Sequence, residues 1–263
     1  MKDALGYEGR RVVVTGAASG MGAAATSLLV ELGAEVVALD VKPVEHAGVH
    51  ASHIVDLRDK ASIDAAVAQL SGIDAIFSIA GLPGPPFSDL DTVTVNFIGA
   101  RHLIESLVPD LSPGAAIACV ASNAGLGWQQ DLDWLIPAVS TAGFDEGVEW
   151  CERNPERIAS GYAPSKKLTN AWVVWRGAQL MAQGIRLNCT NPGPTDTAMM
   201  PAFEHQVGAA LIDAFVGPSG RRSTPDEQAW PLLFLNSPRS SYIAGEALHV
   251  DAGFLGAMTT GQL

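Results

Sequence analysis

The stretch from Val12 to Gly22 constrains the fold of this chain more than any other. Three β-branched residues run into a glycine-spaced turn, and an Ala- and Leu-rich helical pattern follows from Met21 to about Leu32. This order predicts a strand, a tight turn and a helix, the first unit of a doubly wound α/β fold. The unpaired N–H groups of such a helix start attract a phosphate. We therefore predict a dinucleotide phosphate site at five residues: Gly16, Ser19, Gly20, Met21 and Gly22.

Strand and helix patterns alternate along all 263 residues, without a long linker or an internal repeat. Strands joined by helices in this order predict a parallel sheet with right-handed crossovers and helices on both faces. We expect a single domain over 1–263, with a seven-stranded sheet, a helical insertion at about 126–160 and a substrate loop at about 195–217. The predicted helices include 59–70, 91–111, 132–138, 144–153, 163–183 and 225–235.

The composition limits the possible partners. A net charge of −12 disfavours nucleic acid and anionic membranes, and no apolar run is long enough to span a bilayer. Three cysteines without a CxxC pattern fit a reducing compartment, so we expect a cytoplasmic protein. The six histidines show no metal-binding spacing, and no metal site is predicted.

Asp40 ends the second predicted strand. A carboxylate at this position accepts hydrogen bonds from an adenosine ribose and repels a 2′-phosphate. The glycine turn contains no Arg or Lys that could compensate, and the nearest basic residue downstream is Lys42. The predicted cofactor is therefore NAD(H) rather than NADP(H).

Tyr162 and Lys166 are four residues apart, and on a helix they lie on the same face. A free tyrosine has a pKa near 10, too high for efficient proton transfer at neutral pH, and a nearby ammonium lowers it. The pair alone is weak evidence because such spacing also arises by chance. Pro164 between them is tolerated in the first turn of a helix.

The order of these features resembles that of the short-chain dehydrogenase/reductase family. The matching residues cover nearly the whole chain, although Ile79-Ala80-Gly81 lacks the family's usual leading Asn. The resemblance implies that Tyr162 is the general acid/base and that Lys166 lowers its pKa and holds the nicotinamide ribose. It also implies that Ser122 orients the substrate oxygen and that Asn96 supports a water-linked proton path. The remaining implied cofactor contacts are Asp56, Leu57, Ala80, Gly81, Pro192, Gly193 and Thr195.

The stretch between Ser122 and Tyr162 is longer than is usual in the family and contains Trp128, Trp134 and Trp150. A similar insertion marks the branch that resembles bacterial 3α-hydroxysteroid dehydrogenase/carbonyl reductase. The insertion is either a wall of the substrate site or a packed surface or interface, since three Trp side chains need burial. The apolar segment that follows Pro194 is expected to close over a substrate.

The expected activity is interconversion of an apolar secondary alcohol and its ketone. The resemblance leaves a hydroxysteroid, an aryl or allyl alcohol such as coniferyl alcohol, and a terpenoid alcohol open as substrates. A non-catalytic NAD-binding redox sensor is the alternative from another class, which the presence of Asn96, Ser122, Tyr162 and Lys166 disfavours. A homodimer or homotetramer is expected.

Overall fold

A computed structural model describes residues 3–263 of the chain. Seven strands form one parallel sheet in the order β3-β2-β1-β4-β5-β6-β7, which confirms the doubly wound fold. The strands are β1 Arg11–Thr15, β2 Glu35–Asp40, β3 Ala51–Ile54, β4 Ala75–Ser78, β5 Ala116–Val120, β6 Arg186–Pro192 and β7 Ala247–Val250.

Eleven α-helices are present in residues 3–263. They are α1 Gly20–Glu31, α2 Lys60–Val67, α3 Asp89–Val93, α4 Ala100–Leu107, α5 Leu132–Val139, α6 Gly143–Arg153, α7 Tyr162–Met181, α8 Met200–Val207, α9 Ala209–Asp213, α10 Pro225–Asn236 and α11 Phe254–Thr259. Among these residues, no helix combines the length and the apolar character that a bilayer crossing needs.

Alternate residues of each strand enter two hydrophobic layers, because side chains on a strand point to opposite faces. Val13 packs in the layer that contains Leu103 and Leu168, on the side of α4 and α7. Val12 and Val14 pack in the other layer, on the side of α1 and α10. The sheet is thus covered on both faces, and its carboxyl-terminal edge remains available for a site.

Two predicted helices differ from those observed. Asp59 caps α2 as expected, accepting the Ala61 N–H at 2.9 Å, but the helix ends at Val67 rather than Leu70. The helix predicted over 91–111 begins at Asp89 and is interrupted by a π-helical turn, Thr94–Gly99. All six residues of this turn are buried, so the sequence shows no break in an apolar period that would indicate the extra residue of a π-turn.

The insertion contains two helices, α5 and α6, close to the predicted bounds. Trp134 is 8% exposed and stacks on Trp150, with ring centroids 6.1 Å apart. Trp134 belongs to the hydrophobic layer on the side of α4 and α7, and the partly buried Trp150 packs against that layer.

Arg101 on α4 holds the insertion through three hydrogen bonds. Its buried guanidinium donates to the Val139 carbonyl at 3.0 Å, to the Thr141 hydroxyl at 2.9 Å and to the Gly143 carbonyl at 2.6 Å. Val139 is the last residue of α5, where carbonyl groups have no helical partner, so Arg101 supplies the missing donor. Burial lowers the pKa of Arg101 from its usual value.

Candidate active site

The glycine turn after β1 leaves no room for side chains. Gly16 has a φ of +72°, and a Cβ there would lie 2.8 Å from the backbone of Ala80. A Cβ on Gly22 would lie 2.0 Å from the Gly16 carbonyl oxygen, so α1 packs directly on the turn. Gly20, with a φ of +54°, begins α1 and exposes its first N–H groups. This geometry suits a bound phosphate.

A cleft of about 360 Å³ extends from this turn along the carboxyl ends of the first strands. Ten of the predicted cofactor residues line it, from Gly16, Ser19, Gly20, Met21 and Gly22 through Asp40, Asp56 and Leu57 to Ala80 and Gly81. The structure therefore brings together residues that are far apart in sequence. Thr197, Ala198 and Met199 also line the cleft, although they belong to the predicted substrate loop and were not predicted as cofactor contacts.

Asp40 bridges two chain segments at the end of β2. Its carboxylate accepts the Ala18 N–H at 3.0 Å and the Lys42 N–H at 2.9 Å. Asp56, on the next strand end, is paired with Arg58 at 2.7 Å, and this pair holds the pKa of Asp56 below its usual value. Lys42 and Arg58 also line the cleft. The charge of Arg58 is balanced by its pairing with Asp56.

The predicted proton-transfer residues meet at the end of β5. Ser122 follows that strand, and its side chain lies beside Tyr162, the first residue of α7. Burial raises the pKa of Tyr162, and the neighbouring Ser122 side chain opposes that rise. The Ser122 hydroxyl also accepts the Ala124 N–H at 3.1 Å, which closes a short helical turn.

Lys166 is buried one turn further along α7. Its Nζ donates to the Val120 carbonyl at 2.9 Å and lies 5.4 Å from the centroid of the Tyr162 ring. Burial lowers the pKa of Lys166 to about 8, because the charged form loses its hydration. A Cβ on Gly81 would lie 3.9 Å from this Nζ, so the cleft and the lysine are adjacent at Gly81.

Asn96 lies in the π-helical turn and supports the site rather than contacting Lys166. Its amide donates to the Leu82 carbonyl and to the Ser165 hydroxyl, each at 3.0 Å, and accepts the Leu82 N–H at 2.6 Å. Within residues 3–263, no side-chain hydrogen bond joins Asn96 to Lys166. The side chain of Asn96 thus fixes the loop after Gly81 against the first turn of α7.

Pro192 and Gly193 end β6, where the Gly193 N–H donates to the Val250 carbonyl at 3.1 Å. Thr195, predicted to contact the cofactor, is 5% exposed and points back into its own turn. Its hydroxyl is bonded to the Gly193 carbonyl at 3.0 Å and to the Ser223 hydroxyl at 2.9 Å. Thr197, two residues later, lines the cleft instead.

The predicted substrate loop folds into α8 and α9 and lies over Tyr162. Phe203 contacts the tyrosine ring, and Gln206 donates to the Pro83 and Pro85 carbonyls at 3.3 and 3.2 Å. Arg222 pairs with Glu204 on α8 at 2.7 Å and with Asp213 on α9 at 2.8 Å. These contacts hold the loop closed over the site.

Comparison with known proteins identifies the family of this chain from matches that cover most of its length. The family model described as short chain dehydrogenase matches residues 10–131, and the model described as Enoyl-(Acyl carrier protein) reductase matches residues 153–255. The coniferyl-alcohol dehydrogenase of a Pseudomonas strain is 31% identical over 93% of this chain and 96% of its own length. The chain belongs to the short-chain dehydrogenase/reductase family.

Further relatives agree with this assignment. The 3-alpha-hydroxysteroid dehydrogenase/carbonyl reductase of Comamonas testosteroni is 31% identical over 95% of this chain and 98% of its own length. The solved 3-alpha-hydroxysteroid dehydrogenase of Pseudomonas sp. B-0831, a complex with NADH, superposes with a TM-score of 0.79 at 25% identity and covers 96% of this chain and 99% of that one. This short-chain dehydrogenase/reductase is therefore an oxidoreductase of the type that acts on alcohols.

This member of the family lacks the Asn that usually precedes Ala80, and Thr15 provides the link between strands. The Thr15 hydroxyl accepts the N–H groups of Ile79 at 3.0 Å and Ala80 at 3.1 Å. The ends of β1 and β4 are thereby held together without the missing amide. Sequence reasoning also missed Asn191, which contacts Ser122, and its partner Asn170, because a buried asparagine has no pattern that reveals its partner.

Proposed function

We propose that this protein is an NAD(H)-dependent dehydrogenase that interconverts an apolar secondary alcohol and its ketone. One observation carries the proposal: Tyr162 and Lys166 lie on one face of α7 at the end of β5, where Ser122 also lies, and the Lys166 Nζ is next to Gly81 in the lining of the cleft. A non-catalytic redox sensor needs no such group of proton-transferring residues.

The residues that line the cleft suit a bound dinucleotide. The space that a Cβ on Gly16 or Gly22 would fill is already taken by backbone, and Gly20 opens the first N–H groups of α1 toward the cleft. The Asp40 carboxylate is placed to accept the ribose hydroxyls and to repel a 2′-phosphate. When bound, the nicotinamide ring supplies or accepts the hydride.

The proton is moved by the chain itself. In ketone reduction the Tyr162 hydroxyl donates its proton to the carbonyl oxygen, and in alcohol oxidation the phenolate removes it. The Ser122 hydroxyl donates to the same oxygen and stabilises its developing charge. The Lys166 ammonium, 5.4 Å from the ring, favours the phenolate and is placed to hold the nicotinamide ribose. Asn96 is proposed to support a water-linked path for proton exchange.

The substrate proposed is an apolar alcohol with a flat or cyclic body. The closed loop places an aromatic ring, Phe203, directly on Tyr162, and the adjacent Met200 is buried. A hydroxysteroid is the first candidate and an aryl or allyl alcohol of the coniferyl type is the second, since relatives of both kinds are equally identical to this chain. A cytoplasmic homo-oligomer stays part of the proposal.

A substrate panel tests this function. Steroid, aryl and terpenoid secondary or allylic alcohols are incubated with NAD⁺ or NADP⁺, and reduced cofactor is read by absorbance. We expect turnover of at least one apolar alcohol with NAD⁺ and weaker turnover with NADP⁺. Tight NADH binding without turnover of any alcohol in the panel, or of the matching ketones, would favour the redox sensor instead.

A further inference from the structure

Two buried asparagines form a reciprocal pair beneath the proposed catalytic residues. Asn170 on α7 and Asn191 on β6 are each 1% exposed. The Asn170 amide donates to Asn191 Oδ1 at 3.0 Å, and the Asn191 amide donates to Asn170 Oδ1 at 3.0 Å. Two amides that satisfy each other in this way hold a helix and a strand in a fixed relative position.

The pair is connected directly to Ser122. Asn191 Oδ1 also accepts the backbone N–H of Ser122 at 3.2 Å, so one amide oxygen receives hydrogen bonds from both α7 and the end of β5. Asn170 is on the same helix as Tyr162, two turns further along. The pair therefore links the segment that holds Ser122 to the helix that holds Tyr162.

Ser122 has little freedom left once these contacts are made. Its backbone is extended, with a φ of −176°, and its hydroxyl oxygen accepts the Ala124 N–H at 3.1 Å. The hydroxyl hydrogen remains to be donated, because an alcohol has one donor and two acceptor positions. Because the N–H and one hydroxyl lone pair of Ser122 are held, the direction of its hydroxyl relative to Tyr162 is set.

We propose that Asn191, held in place by Asn170, is a positioning residue that fixes Ser122 and so keeps its hydroxyl beside Tyr162. The significance of this placement for turnover rests on the function proposed above, whereas the contact between Asn191 and Ser122 does not. Asn191 touches neither the proposed substrate position nor the cofactor cleft, and it acts only through Ser122.

An amide suits this position better than a carboxylate. Asn191 donates to one partner and accepts from two, and Asn170 Oδ1 additionally accepts from the Cys189 thiol at 3.3 Å. An aspartate at either position would lose the donor of its reciprocal bond and would bury a charge. A Cβ on Gly125 would lie 2.7 Å from Asn170 Nδ2, so the turn after Ser122 packs directly on the pair.

The charged groups around this network are few and do not contact Asn191. The Lys166 ammonium donates to the Val120 carbonyl. His249 is bonded to Asn123 at 3.1 Å, and the Asn123 amide donates to Asp251 at 3.2 Å. We expect these groups to stay in place when Asn191 is replaced, so that a change in the Tyr162 signal reports on Ser122.

The test observes Tyr162 directly and needs no substrate. The chain has three tyrosines, so protein labelled with ¹³C at the ring ζ carbon gives three NMR signals, and Tyr162→Phe assigns one of them. The variants are Asn191→Ala, Ser122→Ala and their combination. Asn188→Ala is the matched control, because Asn188 is a fully buried asparagine of the same strand that bonds to the Ile243 carbonyl and the Glu246 N–H.

We expect Asn191→Ala to move the Tyr162 signal most of the way to its position in Ser122→Ala, and the double variant to match Ser122→Ala. Asn188→Ala should leave the signal in place. Asn170→Ala also removes the reciprocal pair of hydrogen bonds, so it should move the Tyr162 signal in the same direction. A Tyr162 signal that keeps its wild-type position in both Asn191→Ala and Asn170→Ala overturns the proposal.

Activity separates this proposal from the function on which it rests. With an alcohol turned over by the wild-type protein, Asn191→Ala should lower kcat about tenfold at unchanged NADH affinity and shift the pH profile of oxidation to higher pH. Should Tyr162→Phe keep full turnover, the proposed function fails, while the NMR comparison still decides whether Asn191 positions Ser122.

Discussion

The ring of Phe203 meets the ring of Tyr162 edge-on, with centroids 4.8 Å apart and ring planes at 64°. Phe203 belongs to α8, which Gln206 fastens to the loop at Pro83 and which Arg222 fastens through Glu204. In the proposed function, an apolar ring at this position excludes water from the tyrosine hydroxyl and offers a face to a flat substrate.

We expect Phe203→Ala to raise KM for an aryl or steroid alcohol by roughly tenfold, because an aromatic contact in the substrate pocket is lost. NADH affinity should not change, since Phe203 does not line the cofactor cleft. Steady-state kinetics and NADH titration measure both quantities. Phe215→Ala is the control, because Phe215 packs on Phe254 at 5.0 Å instead. Equal KM changes in the two variants would contradict the assignment.

Replacing Tyr162 by Phe removes the proton and keeps the ring. Turnover should fall by roughly 10²-fold or more, while NADH binds with nearly unchanged affinity. Lys166→Ala should weaken both turnover and NADH binding, because Lys166 has two proposed roles. Single-turnover kinetics and fluorescence titration provide the two readouts. Near-normal turnover in Tyr162→Phe would show that another group moves the proton.

Lys166 makes the stability of the fold depend on pH. Its pKa is about 8 in the folded chain and 10.5 ordinarily, so between these values the unfolded chain binds more protons. The free energy of unfolding therefore rises with pH through this window, and below pH 8 the buried charge destabilises the fold by roughly 3 kcal/mol.

This dependence should disappear in Lys166→Met. From pH 7 to pH 9.5, the free energy of unfolding of the wild-type protein should rise by about 2 kcal/mol relative to the variant. Urea denaturation at several pH values measures the difference. Lys167→Met is the control, because Lys167 is half-buried and paired with Asp131 at 2.5 Å. A constant difference between wild type and Lys166→Met would show that Lys166 is not buried in its charged form.

Cofactor preference should depend on Asp40. The wild-type protein should bind NADH better than NADPH, and Asp40→Ala should narrow the gap because the repulsion of the 2′-phosphate is removed. Asp59→Ala is a suitable control, since Asp59 is an exposed carboxylate that caps α2 outside the cleft. Equal affinity of the wild-type protein for both cofactors would contradict the role assigned to Asp40. Lys42 and Arg58 would then be the residues to examine next.

Trp134→Ala should destabilise the protein by roughly 3–5 kcal/mol, because Trp134 is buried against the helices and stacked on Trp150. NADH affinity should stay unchanged in the folded variant. Thermal unfolding and NADH titration measure these effects, and Leu132→Ala, at a 41% exposed position of the same helix, should cost little. A loss of NADH binding in folded Trp134→Ala would place the insertion at the cofactor site.

The sequence by itself determined the doubly wound fold, because a parallel sheet covered on both faces needs buried strands that alternate with helices. It also determined where the cleft lies. Gly16, Gly20 and Gly22 permit a backbone path that other residues cannot follow, and Asp40 must lie at a strand end beside them. These predictions depend on local chemistry, which a linear pattern records.

Only the tertiary structure decided which side chains act together. The sequence pointed to Thr195 for a cofactor contact, but the Ser223 and Gly193 partners hold Thr195 in its own turn, whereas Thr197 lines the cleft. Asn170 and Asn191 carry no pattern at all, and only the packing of α7 on β6 brings their amides together. Hydrogen bonds between distant segments depend on distance and direction in space, and residue order does not specify either.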